Sequence, residues 1–234
     1  MLKIIGSRAT LLGFEFGSFG PLWVREEIFR WGLPRPCSLL YASDLHLGHW
    51  WTKPVPGQIL AAVDRLRPDV LLLGGDLVDV RSALGDFQRF VTELAGLTVV
   101  AAIPGNHDHA EIKDAVRAGG GRWLPEEPLR GPIAVDGCIQ GGSARAPILC
   151  AHYPSDFSQA AAAGYPLVLA GHLHGGQCVL SSSGGKQFPA VWFHSWHGLK
   201  LTAGQTTMLV SRGVGDTFPF RLNCARELLL CRVE

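Results

Sequence analysis

Five polar blocks, each placed directly after an apolar run, hold the side chains best suited to chemistry. They are Ser43-Asp44-Leu45-His46, Gly74-Gly75-Asp76-Leu77-Val78-Asp79, Pro104-Gly105-Asn106-His107-Asp108, His152 on its own, and Gly171-His172-Leu173-His174-Gly175-Gly176. Carboxylates, imidazoles and an amide oxygen, with no thiolate among them, suit borderline-hard divalent ions such as Mn²⁺, Fe²⁺ or Zn²⁺. Asp44-x-His46 and His172-x-His174 add a spacing argument, because residues two apart on an extended chain point to the same side. Each pair can therefore address one pocket. Seven or eight ligands are too many for one ion and about right for two that share a bridging carboxylate. Two such ions, roughly 3.5–4 Å apart, clamp the attacking and departing oxygens of an in-line displacement and lower the pKa of bound water.

The apolar runs that must carry these blocks read as buried strands: Ser38–Ala42, Val70–Leu73, Val99–Ile103, Ile148–Ala151 and Leu167–Ala170. Between them, Gln58–Arg67, Phe87–Leu94 and Glu111–Arg117 combine spaced apolar positions with good helix formers. This alternation predicts an α/β sheet covered by helices, with ligands gathered at the carboxyl ends of the strands. Thr206–Ser211 and Glu227–Val233 are β-like with no helix between them, which predicts added antiparallel strands. Gly119–Gly121, Gly141–Gly142 and Ser181–Gly185 read as loops.

At 234 residues the chain reads as one domain, 1–234, with 1–37 as an N-terminal extension packing on it. Twenty-one basic residues against 20 acidic ones give a net charge of +1, and there is no basic stretch. Phosphate-backbone affinity leans on Lys and Arg, so this balance argues against nucleic acid as a partner. Six dispersed cysteines form no C-x-x-C pair, which argues against a thiolate zinc site and favours a reducing, cytoplasmic compartment. Cys150, Cys178 and Cys231 have apolar neighbours and read as small buried hydrophobes. The apolar N-terminal run through Leu11, Leu12, Phe14, Phe16 and Phe19 is too short and broken for a membrane span. It is compatible with peripheral contact at the inner face of a membrane, and no obligate protein partner is evident.

The ordered blocks from Ser38 to His174, extended by Ser211-Arg212-Gly213-Val214-Gly215 and Phe220-Arg221-Leu222, resemble the calcineurin-like metallophosphoesterase family. The resemblance implies an αββα sandwich, two mixed β-sheets flanked by helices. It also implies a binuclear centre, with Asp44, His46 and His174 holding one metal, Asn106, His152 and His172 the other, and Asp76 bridging. Mn²⁺ is the ion it most readily implies, with Fe²⁺ or Zn²⁺ as alternatives, and a hydroxide between the ions as nucleophile. His107 would be an off-metal catalytic residue that stabilises phosphoryl oxygens or protonates the leaving group, its imidazole oriented by a hydrogen bond to Asp79. Such a carboxylate raises an imidazole's pKa and fixes its tautomer. Val80-Arg81 after Asp79, and Asp108 where a Glu is typical, depart from the protein-phosphatase branch. The Gly171–Gln177 block and the tail resemble bacterial phosphodiesterase-type members, some of which act on nucleotide-sugar lipids as UDP-diacylglucosamine pyrophosphatases do. A small phosphodiester, a pyrophosphate or a nucleotide-lipid substrate is therefore expected. A nuclease of the same family, a phosphomonoesterase and a non-catalytic metal-binding scaffold are the alternatives.

Simpler roles compete at some positions. Asp79 also suits a helix N-cap, and Asp108 suits capping of the helix expected near Ala110. His49 and His109 follow ligand blocks closely enough for substrate contact, whereas His194 and His197 read as ordinary satisfied or exposed histidines. Two consecutive tryptophans cannot easily share one core face, so Trp50 and Trp51, with Trp196, are expected to line an apolar substrate wall.

Overall fold

A computed structural model describes residues 2–5, 13–131, 133–183, 186–188 and 198–234, with side chains described at 13–131, 133–180 and 198–234. The stretch 189–197, with His194, Trp196 and His197, lies outside the described residues. The chain runs through β1 (Leu2–Ile5), β2 (Phe14–Phe16), β3 (Leu22–Phe29), β4 (Cys37–Ala42), α1 (Val55–Leu66), β5 (Val70–Gly74), α2 (Leu84–Ala95), β6 (Val99–Ile103), α3 (Ile112–Ala118) and β7 (Arg122–Trp123). It continues through β8 (Val135–Asp136), β9 (Ile148–Cys150), α4 (Phe157–Ala163), β10 (Leu167–Ala170), β11 (Ser181–Ser183), β12 (Lys186–Phe188), β13 (Lys200–Ala203), β14 (Thr206–Val210), β15 (Phe220–Leu222) and β16 (Glu227–Val233).

Two mixed sheets carry the fold. Among the described residues the first has the order β1-β3-β16-β4-β5-β6-β7 and the second β13-β14-β10-β9-β8. Parallel pairing of β4, β5 and β6, and of β9 with β10, sends the carboxyl ends of all five strands to one edge. The reason lies in the run composition. Leu39, Tyr41 and Leu72 alternate with Leu40, Ala42, Leu71 and Leu73, and both sets are buried. One set packs between the sheets against Ile148, Cys150, Leu167, Leu169 and Leu209. The other packs beneath the helices, against Ile59 and Val63 of α1, Phe87 and Val91 of α2, and Val116 of α3. The second sheet buries Leu149, Val168 and Met208 under Phe157 and Ala160 of α4. Strands covered on both faces read as nearly continuous apolar runs, and these do, with Ser38 near the start of β4 the exception. The layers are helix, sheet, sheet, helix, the expected sandwich.

The tail strands divide between the sheets. β14 joins the second sheet, parallel to β10 and antiparallel to β13, while β16 enters the first, antiparallel to β4 and parallel to β3. The N-terminal segment is built into the fold through β1 and β3 in the first sheet and through β2, which pairs with β15. Ser181–Gly185, read as loop, begins with strand β11. All six cysteines are free, and Cys178 is half-buried where full burial was expected. Among the described residues no helix is long and apolar enough to cross a membrane.

Leu72, fully buried between the sheets, tests the sandwich directly. Leu72→Ala is expected to lower unfolding free energy by about 2–5 kcal/mol, read from chemical denaturation.

Candidate metal centre

Each polar block begins where its strand ends, and the chain turns sharply there. Asp44, His46, Asp76, His172 and His174 all have positive φ, between 48° and 70°, a backbone conformation that L side chains rarely adopt. Hydrogen bonds between loops hold them in it. Asp44 N–H donates to the Gly75 carbonyl (2.9 Å), His46 N–H to Asp76 (3.0 Å) and Leu47 N–H to Leu77 (3.0 Å), so the β4–β5 ladder carries on past the strands. From the other side, Val214 N–H donates to Ser43 (3.0 Å) and Gly215 N–H to Asp44 (2.7 Å).

The expected ligands gather at this edge in two groups. Asp44, His46 and His174 offer donor atoms within 4.8 Å of one another, and so do Asp76, His152 and His172. In the first group His46 Nε2 is 3.0 Å from His174 Nε2, which lies 3.8 Å from Asp44 Oδ1. In the second, His152 Nε2 is 3.1 Å from Asn106 Oδ1, and the His152 and His172 rings lie 5.1 Å apart. Asp76 stands between the groups, its Oδ2 3.3 Å from His152 Nε2 and 3.9 Å from His46 Nε2. Its other oxygen, Oδ1, accepts the His107 amide at 2.8 Å. Each group draws on both sheets.

Asp44-x-His46 does reach one pocket, but not through strand alternation. Both residues lie beyond β4 with left-handed φ, and the turn aims them. His172 and His174, equally beyond β10, fall into different groups.

Supporting contacts fix the orientation of the rings. His152 Nδ1 faces the Gly74 carbonyl at 3.0 Å, which turns Nε2 toward Asp76 and Asn106. His46 Nδ1 lies 2.8 Å from Asp79 Oδ1, while Asp79 Oδ2 takes His49 Nε2 at 3.1 Å. The Asp79 carboxylate therefore orients His46 and His49. His107 Nδ1 is 3.6 Å from Asp79 Oδ1, an ion-pair distance and not the hydrogen bond expected. Asp79 does not act as a helix N-cap either, since the short turn Arg81–Ala83 is entered through Val80. His109 Nε2 lies 3.0 Å from the Asp79 carbonyl oxygen.

Asp108 is structural, but it caps no helix; α3 is entered through Glu111. Its Oδ1 accepts the Leu77 and Val78 amides at 2.8 and 3.0 Å, and its Oδ2 accepts Gly105 at 2.8 Å. It ties the Asp76 loop to the Asn106 loop. Gly105 has no alternative there, because a Cβ would stand 2.1 Å from Asp76 Oδ1.

Four residues near the centre were given no role from sequence. Ser43 Oγ donates to Asp44 Oδ2 at 2.5 Å, Thr217 Oγ1 is 3.3 Å from His46 Nε2, and the Tyr153 ring is 4.7 Å from His172 and 4.9 Å from His152. Ser43 and Tyr153 adjoin ligand positions, which is the only signal the sequence offers for them. Arg221, fully buried, pairs with Asp216, donates to the Arg212 and Gly215 carbonyls at 2.6 and 2.9 Å, and reaches within 3.4 Å of His174 Nδ1.

The electrostatics fit a cation. Burial pushes the Asp44 carboxyl up. Burial acts the same way on Asp76, but the hydrogen bond and charge of His152, the His107 amide and His46 together hold it well below the usual range. His174 is pulled well below the ordinary histidine range by burial and by the positive charge of His46 and Arg221, so it presents a free lone pair. Burial pulls His152 down, yet Asp76 and Asp44 outweigh it and raise the imidazole to about 9. A proton held there sits where a metal would compete for the same nitrogen. Ligand bonds of roughly 2.0–2.2 Å set donors around one ion about 3–4 Å apart, and the distances within the first group match that spacing. Buried carboxylates are costly unless a cation, a bound metal or a protonated imidazole, compensates them.

The profile of the family described as Calcineurin-like phosphoesterase matches residues 38–218. The chain belongs to that family. Its members are metal-dependent phosphoester hydrolases, and this chain carries the His and Asp groups to bind metal. It is 26% identical over 220 residues to Phosphodiesterase YaeI of Escherichia coli, covering 83% of this chain and 81% of that protein. It is also 26% identical, over 261 aligned residues, to an uncharacterized metallophosphoesterase of Helicobacter pylori, covering 98% of this chain and 70% of that protein. Among solved structures, a Thermus thermophilus protein aligns with TM-score 0.41 and 16% identity over 77% of this chain and 91% of its own.

Asp108→Ala strips an acceptor from three backbone amides at once. The expected loss is about 2 kcal/mol or more of stability, measured by thermal unfolding, because buried donors left unpaired cost about 1–3 kcal/mol each.

Proposed function

We propose that this chain hydrolyses phosphodiester or pyrophosphate linkages at a binuclear centre. Asp44, His46 and His174 would hold one divalent cation, Asn106, His152 and His172 the other, with Asp76 shared. The observation that carries the reading is the position of Asp76 Oδ2, within 4 Å of His46 on one side and His152 on the other. The nitrogen and oxygen donor set matches Mn²⁺, with Fe²⁺ or Zn²⁺ next. Bound cations would neutralise phosphoryl charge and make hydroxide available near neutral pH.

The chain's own residues supply the rest. Asp79 accepts the His46 Nδ1 proton, which leaves Nε2 free to donate its lone pair. His107, more exposed than the candidate Asp and His ligands, has its backbone anchored on Asp76 and its ring edge-on to His46, 4.9 Å between centroids. From there it faces an incoming phosphate and can hydrogen-bond a phosphoryl oxygen or protonate the leaving group. In the reaction the oxygen of water forms the new bond to phosphorus, the ester P–O bond breaks, and the departing alkoxide takes a proton. The diester preference is supported by the likeness to a protein named as a phosphodiesterase. Near-neutral net charge weighs against a nucleic-acid substrate.

Purified protein with Mn²⁺ is expected to cleave bis-p-nitrophenyl phosphate, and chelator to abolish the cleavage. Asp76→Asn should reduce metal content measured by elemental analysis. His107→Ala should retain metal and lose about a hundredfold or more in turnover. Equal metal loss in the two variants would overturn the role given to His107, and absence of both metal and activity would overturn the enzyme reading.

A further inference from the structure

Metal chemistry leaves Trp50 and Trp51 unused, and both sit beside a cleft. A cavity of about 570 Å³ opens between α1 and α2, with Leu47, Pro56, Leu60, Phe87 and Phe90 at its floor, Trp50 at its lip and the exposed charges of Lys53, Asp86, Arg89 and Glu93 around its rim. Its size falls within the ordinary range for small-molecule sites, about 300–1,000 Å³. Phe87 and Phe90 also belong to the core beneath the first sheet, so the floor is rigid, whereas Trp50 is 60% exposed. The Phe16 and Phe19 rings flank Trp50 at 5.9 and 6.2 Å.

The cleft is linked to the metal centre through the chain and through His49. Its wall includes Leu47, Gly48, His49 and Trp50, the four residues immediately after the candidate ligand His46. His49 faces both sides: it lines the cleft, and its Nε2 bonds the Asp79 carboxylate that holds His46. Trp51 lies flat against His49, with centroids 4.3 Å apart and planes 3° apart, and its Nε1 donates to the Asp216 carbonyl at 2.9 Å. The wall is therefore braced on both sides. A phosphate at the metal centre would lie beside a cleft with an apolar, aromatic floor and a charged rim.

We propose that this cleft is the subsite for an apolar substituent, an alkyl chain or an aromatic ring, on the phosphodiester cleaved at the metal centre. The inference rests on the phosphodiesterase reading above. Each methylene buried in such a slot strengthens binding about fourfold.

The test is a series of p-nitrophenyl phosphodiesters whose second substituent is methyl, butyl or octyl, assayed with the Mn²⁺-loaded protein. The octyl diester is expected to exceed the methyl diester at least tenfold in kcat/KM. Ala83→Trp, on the cleft wall and outside the metal centre, should bring the octyl value down to the methyl value and leave the methyl value within about twofold. Ser82→Phe, at an exposed wall position, makes the same test should Ala83→Trp fail to fold. Calorimetry with n-octyl phosphate gives a readout independent of turnover, and at least tenfold weaker binding to the filled variants is expected. Equal kcat/KM along the series, with the methyl diester cleaved normally, overturns the subsite and leaves the reaction standing. Cleavage of no diester overturns the reaction, and octyl phosphate binding then decides the subsite by itself. Self-association abolished by Ala83→Trp, without chain-length dependence, would assign the cleft to a second copy of the chain and overturn the proposal.

Discussion

The candidate centre depends on a ladder that does not stop where its strands do. Backbone hydrogen bonds tie Asp44, His46 and Leu47 to Gly75, Asp76 and Leu77, beyond the last paired residues of β4 and β5. Left-handed backbone at a non-glycine residue costs of order 1–3 kcal/mol, and five candidate ligands adopt it. Without the cross-loop bonds these residues would relax into ordinary turns, and their side chains would point elsewhere. The sheet offsets the strain, and rigid placement of the donor atoms results.

Charge burial imposes a second demand, met from beneath by the chain's end. Arg221, Arg226 and Glu227 are all fully buried, which is tolerable only for charges that are paired. Arg226 takes Glu15 at 2.6 Å and the Val214 carbonyl at 2.9 Å, and Glu227 takes Arg25 at 3.1 Å and Arg212 at 2.5 Å. These pairs fix residues 211–216, the segment whose amides at Val214 and Gly215 hold Ser43 and Asp44. The N-terminal Glu15 and Arg25 thus bear on the metal edge without approaching it.

Much of this was legible in the amino-acid order, for identifiable reasons. Strands buried on both faces are almost wholly apolar, so β4, β5, β6, β9 and β10 stood out to within a residue or two, and the polar blocks fell where they ended. What the order does not encode locally is the partner of a side chain. Asp79 is 28 residues from His107 and 33 from His46 in the chain. Only the fold decides that its hydrogen bonds go to His46 and His49. Asp108 looked like a cap because a helix follows it, yet the unpaired amides nearest its carboxylate belong to two loops. The pairing of Asp44 with His46 was anticipated from extended-strand geometry, whereas the turn beyond the strand brings it about. Arg221 stood in the Phe220-Arg221-Leu222 block without a role, since a buried arginine is defined by the acceptors around it.

Each donor group takes residues from both halves of the sandwich. Asp44 and His46 follow a strand of the first sheet and His174 follows one of the second; Asp76 and Asn106 belong with the first, His152 and His172 with the second. Hydrogen bonds already span the two layers at that edge: the Tyr41 hydroxyl donates to the Ala151 carbonyl at 3.1 Å, the His172 amide to Asp44 Oδ1 at 2.9 Å and the Val214 amide to the Ser43 carbonyl at 3.0 Å. A metal ion coordinated there is a rivet between the sheets. Its binding free energy is also free energy of assembly, so resistance to unfolding should rise with the logarithm of free metal once its concentration passes the dissociation constant.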